Sequence, residues 1–205
     1  MTAERRLRLQ EVLDKRQNDL TVVLENVEDP HNISAVMRSC DAVGIQDIYI
    51  INTKTTLQHK FGHRSSRSAE KWLSLHSFTS VAGCFAVLRK NYSRILCTYL
   101  TNEACPVFEL DFVSQPVALV FGNERTGVSD EVLRLSDGNF NIPQSGFIKS
   151  LNISVACAVT IFEAFRQKQL AGHYERNNFP AERREELMQK WDAMDLAKKR
   201  DRIIR

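Results

Sequence analysis

Short apolar runs alternate with segments of helical periodicity along most of the chain, and this alternation constrains the fold more than any other feature. Five runs predict strands. Asn32–Val43, Phe78–Leu88 and Ser150–Leu170 repeat apolar residues every three or four positions, as amphipathic helices do, whereas residues 53–70 show no clear period. The predicted strands are Leu20–Leu24, Asp47–Ile51, Arg94–Leu100, Pro116–Phe121 and Asn139–Ile142. Strands that alternate with helices are typical of an α/β fold on a mostly parallel sheet.

Helical segments flank this pattern at both ends of the chain. Residues 1–19 contain an N-terminal amphipathic helix, residues 20–171 form the predicted α/β domain, and residues 172–205 form a charged helical extension. The 205 residues are enough for one domain with its own hydrophobic core. The last helix of the domain is predicted from Ser150 to Leu170, with Ser150 as its cap. Its predicted apolar face consists of Leu151, Val155, Val159 and Phe162.

The sequence lacks the signals of several common protein classes. It contains no apolar stretch long enough to span a membrane and no leader-like opening segment, so we expect a cytoplasmic protein. Five cysteines at irregular spacings agree with a reducing compartment. His59 and His63 have no cysteine or carboxylate beside them, and we therefore expect no metal site. A dinucleotide-binding G-x-G-x-x-G, a Walker lysine motif and a G-x-S-x-G elbow are also missing.

The formal net charge of +3 conceals a strong segregation of charge. Residues 54–94 carry eight Lys or Arg against the single Glu70, and residues 166–205 carry eleven against seven acidic residues. Residues 95–165 between them carry only three against eight. Clustered basic residues are the electrostatic footprint of nucleic-acid binding, although a solvated surface gives the same pattern.

Three strand-to-helix junctions carry the polar residues that could form a site. The first follows Leu20–Leu24 and includes Asn32, with Arg38 further along the next helix; the second is FGNERTGVS at 121–129, and the third spans 142–154. Ligands of open α/β sheets bind at the carboxyl ends of the strands, where such junctions lie. Taken alone, Arg38 is most simply a surface arginine and the second junction a strand-to-helix turn. The third junction fits a capped helix and a ligand site at the helix start equally well.

In this order and at these separations, the junctions resemble the three motifs of the TrmH-type ribose 2′-O-methyltransferases of the SPOUT superfamily. The matching segments are DPHNISAVMRSCDAVGI, FGNERTGVS and IPQSGFIKSLNISVACAV, within about residues 5–171. The resemblance implies a SPOUT (α/β knot) fold, a mostly parallel sheet with a C-terminal trefoil knot. It also implies S-adenosylmethionine as the cofactor and a homodimer with each active site near the subunit interface.

The opening segment RQNDLTVVLENV is similar to the tRNA enzymes within that family. This similarity implies that tRNA is the partner and that the ribose of guanosine 18 in its D-loop receives the methyl group. Two alternatives stay open, a 2′-O-methyltransferase of ribosomal RNA and a catalytically inactive RNA-binding SPOUT protein.

The resemblance also assigns roles to three sets of residues. The resemblance places Arg38 at the ribose 2′-hydroxyl, either as a transient base or as a fixed cation. The supporting catalytic residues are Asn32, Glu124, Ser150 and Asn152. The cofactor-binding residues are Thr98, Leu100, Gly122, Ile142 and Leu151. The RNA-contacting residues are Arg8, His31, Lys149 and Arg166.

Overall fold

The computed structural model describes residues 2–54, 69–101, 104–148 and 150–203, with side chains as far as residue 194. Its strands are β1 (Leu20–Glu25), β2 (Asp47–Ile51), β3 (Ser74–Phe78), β4 (Arg94–Thr98), β5 (Cys105–Pro106), β6 (Val117–Phe121) and β7 (Gly138–Asn141). Its helices are α1 (Ala3–Asp14), α2 (Pro30–Ala42), α3 (Ala69–Trp72), α4 (Val81–Leu88), α5 (Asp130–Leu135), α6 (Ile153–Leu170) and α7 (Ala181–Ile203). A short 3₁₀ helix spans Val107–Glu109.

The strands form one parallel sheet in the order β3-β2-β1-β6-β4-β7-β5, which confirms the predicted α/β fold. The first three strands lie in chain order on one side of the sheet, and the later four lie on the other side. The two halves meet at β1, where Val22 is aligned with Ile48 of β2 and with Leu119 of β6. The trefoil knot that the family resemblance implies in the C-terminal half stays a prediction.

Two strands were not visible as apolar runs in the sequence. β3 lies at one edge beside β2, with Ser74 buried but the rest of the strand partly or fully exposed. β5 lies at the other edge and has only two residues, which pair with β7. Edge strands are short and partly solvated, so they lack the continuous hydrophobic signal of the central strands.

The core lies on both faces of the sheet because the side chains of a strand alternate between its faces. On one face, Val22 and Leu24 pack in a cluster with residues of α2 and α6 such as Met37 and Ile161. On the other face, Val23 packs in a cluster that also includes residues of α4 and α5. All residues of β1 and β6 are buried, as expected for central strands covered by helices on both sides.

Helix α6 differs from its predicted form at its start and in its orientation. It begins at Ile153, and Asn152 is its cap, with Oδ1 accepting the backbone N–H of Ser154 at 2.9 Å. The prediction that Ser150 caps the helix is therefore wrong. The predicted apolar face is also not the one that packs on the sheet: α6 buries Ile153, Cys157, Ile161 and Ala164, whereas Val155 and Phe162 are about half exposed.

The terminal helices α1 and α7 pack against each other beside the sheet. Their shared apolar cluster contains Leu9, Leu13, Phe179, Leu187 and Trp191. Arg184 of α7 donates to the carboxylate of Asp14 in α1 at 2.5 Å. Among the helices that the structure describes, none is long and apolar enough to cross a membrane.

Candidate active site at the carboxyl ends of the strands

A cavity of about 460 Å³ opens where β4, β6 and β7 end. Its walls come from the segments that follow these strands and from the first turn of α6. The lining residues are Thr98, Tyr99, Leu100, Phe121, Gly122, Asn123, Glu124, Arg125, Thr126, Gly127, Phe140, Asn141, Ile142, Gln144, Ser150, Leu151, Ile153 and Ala156. All five predicted cofactor-binding residues are among them. A volume of about 300–1,000 Å³ is typical of small-molecule sites.

The loop after β6 forms one wall of this cavity and has a very tight path. Asn123 and Gly127 exchange two backbone hydrogen bonds of 3.0 and 2.9 Å, which closes the turn. Gly127 has a φ of +67°, a conformation that glycine adopts without strain. A side chain on Gly122 would place its Cβ only 2.2 Å from the backbone carbon of Gly127. The loop can therefore close only with a glycine at position 122.

A hydrogen-bonded relay joins the three junctions that the sequence singled out. Asn32 in α2 donates from Nδ2 to Glu124 Oε1 at 2.7 Å, and Asn152 donates from Nδ2 to Asn32 Oδ1 at 3.1 Å. Asn152 Oδ1 in turn accepts from the Ser154 hydroxyl at 2.6 Å. These residues are 92 and 120 positions apart in the chain, so only the folded sheet brings them together. Each amide uses both its donor and its acceptor, which fixes its orientation.

Two other predicted catalytic residues do not join the relay. Ser150 is exposed and forms part of the cavity wall just before Asn152. Arg38 is exposed on α2, six residues after Asn32, and it makes no hydrogen bond or ion pair to the described part of the chain. An arginine without such a partner is available to bind an anionic substrate.

The predicted RNA-contacting residues are dispersed over the surface. Arg8 is exposed on α1 and pairs with Glu11 at 3.1 Å, and His31 is exposed in the first turn of α2. Arg166 is exposed on α6 and donates twice to Glu163, at 2.9 and 2.8 Å. This pairing raises the pKa of Arg166 and lowers that of Glu163. The predicted contact at Lys149 lies outside the described residues.

Sequence reasoning missed two residues at the end of β1. Asn26 has a left-handed backbone with a φ of +51°, and its carbonyl accepts from Asn123 Nδ2 at 2.8 Å. Glu25 is 1% exposed, and its Oε2 accepts the backbone N–H of Ser129 at 2.8 Å. An asparagine directly after a buried strand was the available signal, because asparagine tolerates this conformation better than most residues.

The same fold and junctions occur in known proteins. A model of the SpoU rRNA Methylase family matches residues 19–162. The chain belongs to this family. It is 40% identical over 190 residues to a tRNA (guanosine(18)-2′-O)-methyltransferase of Thermus thermophilus. This match covers 93% of this chain and 96% of that relative.

Solved structures of family members agree with this assignment. The Aquifex aeolicus TrmH/SpoU tRNA modifying enzyme superposes with a TM-score of 0.86 at 34% identity, over 94% of this chain and 96% of that one. The SpoU methyltransferase AviRb of Streptomyces viridochromogenes, solved in complex with the cofactor AdoMet, gives a TM-score of 0.65 at 27% identity. That match covers 77% of this chain and 62% of AviRb.

Within the described residues, no group of three or more His, Cys, Asp or Glu side chains could hold a metal ion. The polar groups around the cavity are amides, hydroxyls, a carboxylate, the Arg125 guanidinium and backbone atoms.

Proposed function

We propose that this protein transfers the methyl group of S-adenosylmethionine to the ribose 2′-hydroxyl of guanosine 18 in the D-loop of tRNA. The observation that carries the proposal is the relay from Glu124 through Asn32 to Asn152, which joins all three family motifs beside one cavity. The tRNA (guanosine(18)-2′-O)-methyltransferase of Thermus thermophilus, which matches nearly the whole chain, supports tRNA over ribosomal RNA as the substrate.

The cavity fits the proposed cofactor. Leu100, Ile142 and Leu151 offer apolar walls for an adenine ring, and Thr98 and Gly122 bring polar backbone groups beside them. Gly122 lets the loop backbone at Gly127 and Val128 approach closely, which shapes this wall of the cavity. When bound, S-adenosylmethionine supplies a methyl group made electrophilic by its positively charged sulfur.

The protein must then orient the ribose and stabilise the charge that develops on its oxygen. The 2′-hydroxyl gives its proton to solvent as the oxygen attacks, so negative charge builds up on that atom. Guanidinium groups stay protonated in proteins, and we therefore assign Arg38 the role of a fixed cation that binds the adjacent phosphate and stabilises the oxyanion. The hydrogen bond between Asn152 and Asn32 joins the start of α6 to α2, the helix that carries Arg38.

The outer face of α6 supports a homodimer as the functional unit. Val155 and Phe162 lie two turns apart on this face and are 47% and 48% exposed. Large exposed apolar side chains in a row mark interaction surfaces. We expect Phe162→Glu to yield a monomer by light scattering, whereas Leu7→Glu, at an exposed site on α1, leaves the dimer intact. An unchanged mass for Phe162→Glu would contradict this interface.

A cytoplasmic location is part of the proposal, because tRNA is processed there. All five cysteines are free thiols, as expected in a reducing compartment. We further propose that Arg8, His31, Lys149 and Arg166 contribute to the RNA surface around the cavity.

The deciding experiment measures transfer of a labelled methyl group to a tRNA transcript. We expect incorporation into a transcript with guanosine 18 and none into one with 2′-deoxyguanosine at that position. Arg38→Ala is expected to abolish transfer while still binding S-adenosylmethionine by calorimetry. Methylation of ribosomal RNA only, or wild-type turnover by Arg38→Ala, would refute the proposal. Absence of cofactor binding by the wild-type protein would favour an inactive RNA-binding module.

A further inference from the structure

Two consecutive residues at the end of β1 hold the cofactor loop at both of its ends. The loop spans residues 122–129 and forms one wall of the cavity. At its start, Asn123 donates from Nδ2 to the backbone carbonyl of Asn26 at 2.8 Å. At its end, the backbone N–H of Ser129 donates to Glu25 Oε2 at 2.8 Å. Residues about 100 positions earlier in the chain therefore fix where this loop lies.

The unusual backbone of Asn26 determines the direction of its carbonyl. Its φ of +51° is the only positive value among the described non-glycine residues. The side chain holds this conformation: Asn26 Oδ1 accepts the Thr53 backbone N–H at 2.9 Å, and Asn26 Nδ2 donates to the Thr53 hydroxyl at 3.0 Å. The backbone N–H of Asn26 donates to Ile51 at 2.8 Å. The end of β2 thus supports a conformation that costs an asparagine about 1–2 kcal/mol elsewhere.

Asn123 connects Asn26 to the part of the loop that carries Glu124. Its Oδ1 accepts the backbone N–H groups of Arg125 and Thr126, at 2.9 and 3.4 Å. The same side chain is therefore bound to Asn26 at one end and to the turn at the other. Because Glu124 is between these contacts, the position of its carboxylate depends on Asn26.

Glu25 is an unexpected residue to find buried at this place. Its Oε1 has no hydrogen-bond partner within the described structure, and the residue is 1% exposed. Burying a carboxylate costs free energy, which hydrogen bonds to its oxygens must offset. Here Oε2 accepts a hydrogen bond from Ser129, the N-cap residue of α5, at the point where the loop ends.

We propose that Glu25 and Asn26 form a two-point clamp that positions the cofactor loop for methyl transfer. Asn26 acts through the direction of its carbonyl, and Glu25 acts through its carboxylate oxygen. Neither residue lines the cavity, so both are positioning residues. The inference rests on the proposed function for its catalytic consequence, but the effect on cofactor binding does not depend on which RNA is methylated.

Two substitutions at position 26 separate backbone conformation from side-chain contacts. Asn26→Gly loses the bonds to Thr53 but adopts a positive φ without strain. Asn26→Val strongly disfavours that φ, so the carbonyl turns away and Asn123 loses its acceptor. We expect S-adenosylmethionine to bind about tenfold more weakly to Asn26→Val and within about threefold of wild type to Asn26→Gly. Calorimetry at a temperature well below each unfolding midpoint measures both values.

A matched pair at position 25 tests the other end of the clamp. Glu25→Gln keeps an oxygen for the Ser129 N–H, whereas Glu25→Leu removes it at similar volume. We expect cofactor affinity to be retained within about threefold by the first variant and reduced about tenfold by the second. Equal affinities for the two would overturn the role of Glu25.

A double substitution shows whether Asn26 acts through Asn123. If it does, Asn26→Val combined with Asn123→Ala binds the cofactor no more weakly than Asn123→Ala alone. Additive losses, wild-type affinity of Asn26→Val, or equal losses in the Gly and Val variants would each refute the clamp. The proposed function fails separately, when the wild-type protein binds S-adenosylmethionine but does not methylate tRNA.

Discussion

At Gly122 the loop backbone packs so closely that a substitution there tests the architecture of the cavity. Replacing Gly122 with alanine adds one methyl group, which would lie 2.2 Å from the Gly127 carbon, 2.3 Å from the Val128 nitrogen and 2.4 Å from the Gly127 oxygen. All three neighbours are backbone atoms, so no side chain can rotate out of the way. The chain must separate by about 1 Å to reach ordinary contact.

This separation breaks the turn that the loop depends on. The two backbone hydrogen bonds between Asn123 and Gly127 contribute about 1 kcal/mol each, and forcing a methyl group into a packed site costs about 1–3 kcal/mol. We therefore expect Gly122→Ala to lower the free energy of unfolding by about 3–5 kcal/mol. For a chain of this size, that loss lowers the unfolding midpoint by about 6–20 °C. The methyl group also displaces the cavity wall.

Calorimetry of S-adenosylmethionine binding and thermal unfolding measure the two consequences. Gly122→Ala is expected to bind at least about tenfold more weakly than wild type. Gly138→Ala is the matched control, because its new Cβ lies 3.6 Å from the nearest atom, a side-chain carbon of Leu96. An unchanged midpoint with unchanged cofactor affinity for Gly122→Ala would refute the close approach on which this reasoning rests.

Three further predictions concern the relay and the opposite end of the sheet. Asn152→Ala removes the cap of α6, so we expect it to lower the free energy of unfolding by about 1 kcal/mol and to lower turnover as well. Asn152→Asp keeps the cap but cannot donate to Asn32, so we expect it to lower turnover alone. Lys168 is fully buried and donates to Asp19 at 2.6 Å, so Lys168→Met is expected to cost about 3 kcal/mol in urea denaturation. Burial and the nearby Lys168 charge lower the pKa of His173. We therefore expect the free energy of unfolding to fall as the pH drops from about 6.5 through the lowered pKa of this histidine. His173→Gln should remove that pH dependence.

Central strands and glycine-bearing junctions could be predicted from the sequence because their signals are local. Leu20–Leu24 and Pro116–Phe121 are short, mostly apolar runs, which is the pattern of strands covered on both faces. The grouping of the five predicted cofactor residues around one cavity followed from the carboxyl-end rule together with the family resemblance. The assigned roles of these residues stay predictions.

Features that depend on three-dimensional partners could not be predicted in the same way. The apolar residues of α6 occur on two faces, and periodicity alone does not say which face packs on the sheet. Ser150 and Asn152 are both good caps by residue type, and only the bond to Ser154 decides between them. The ties from Glu25 and Asn26 to the cofactor loop link residues about 100 positions apart, which no local pattern encodes.

The pairing of β1 with β6 has a consequence for how the protein is made. During synthesis at about 5–20 residues per second, β1 leaves the ribosome roughly 5–20 s before β6, its neighbour in the finished sheet. In that interval the edge of β1 that later pairs with β6 is uncovered, because β2 pairs with its other edge. The nascent chain is thus most exposed to aggregation before residue 117 emerges, and a chaperone that binds short apolar segments would act on Leu20–Glu25.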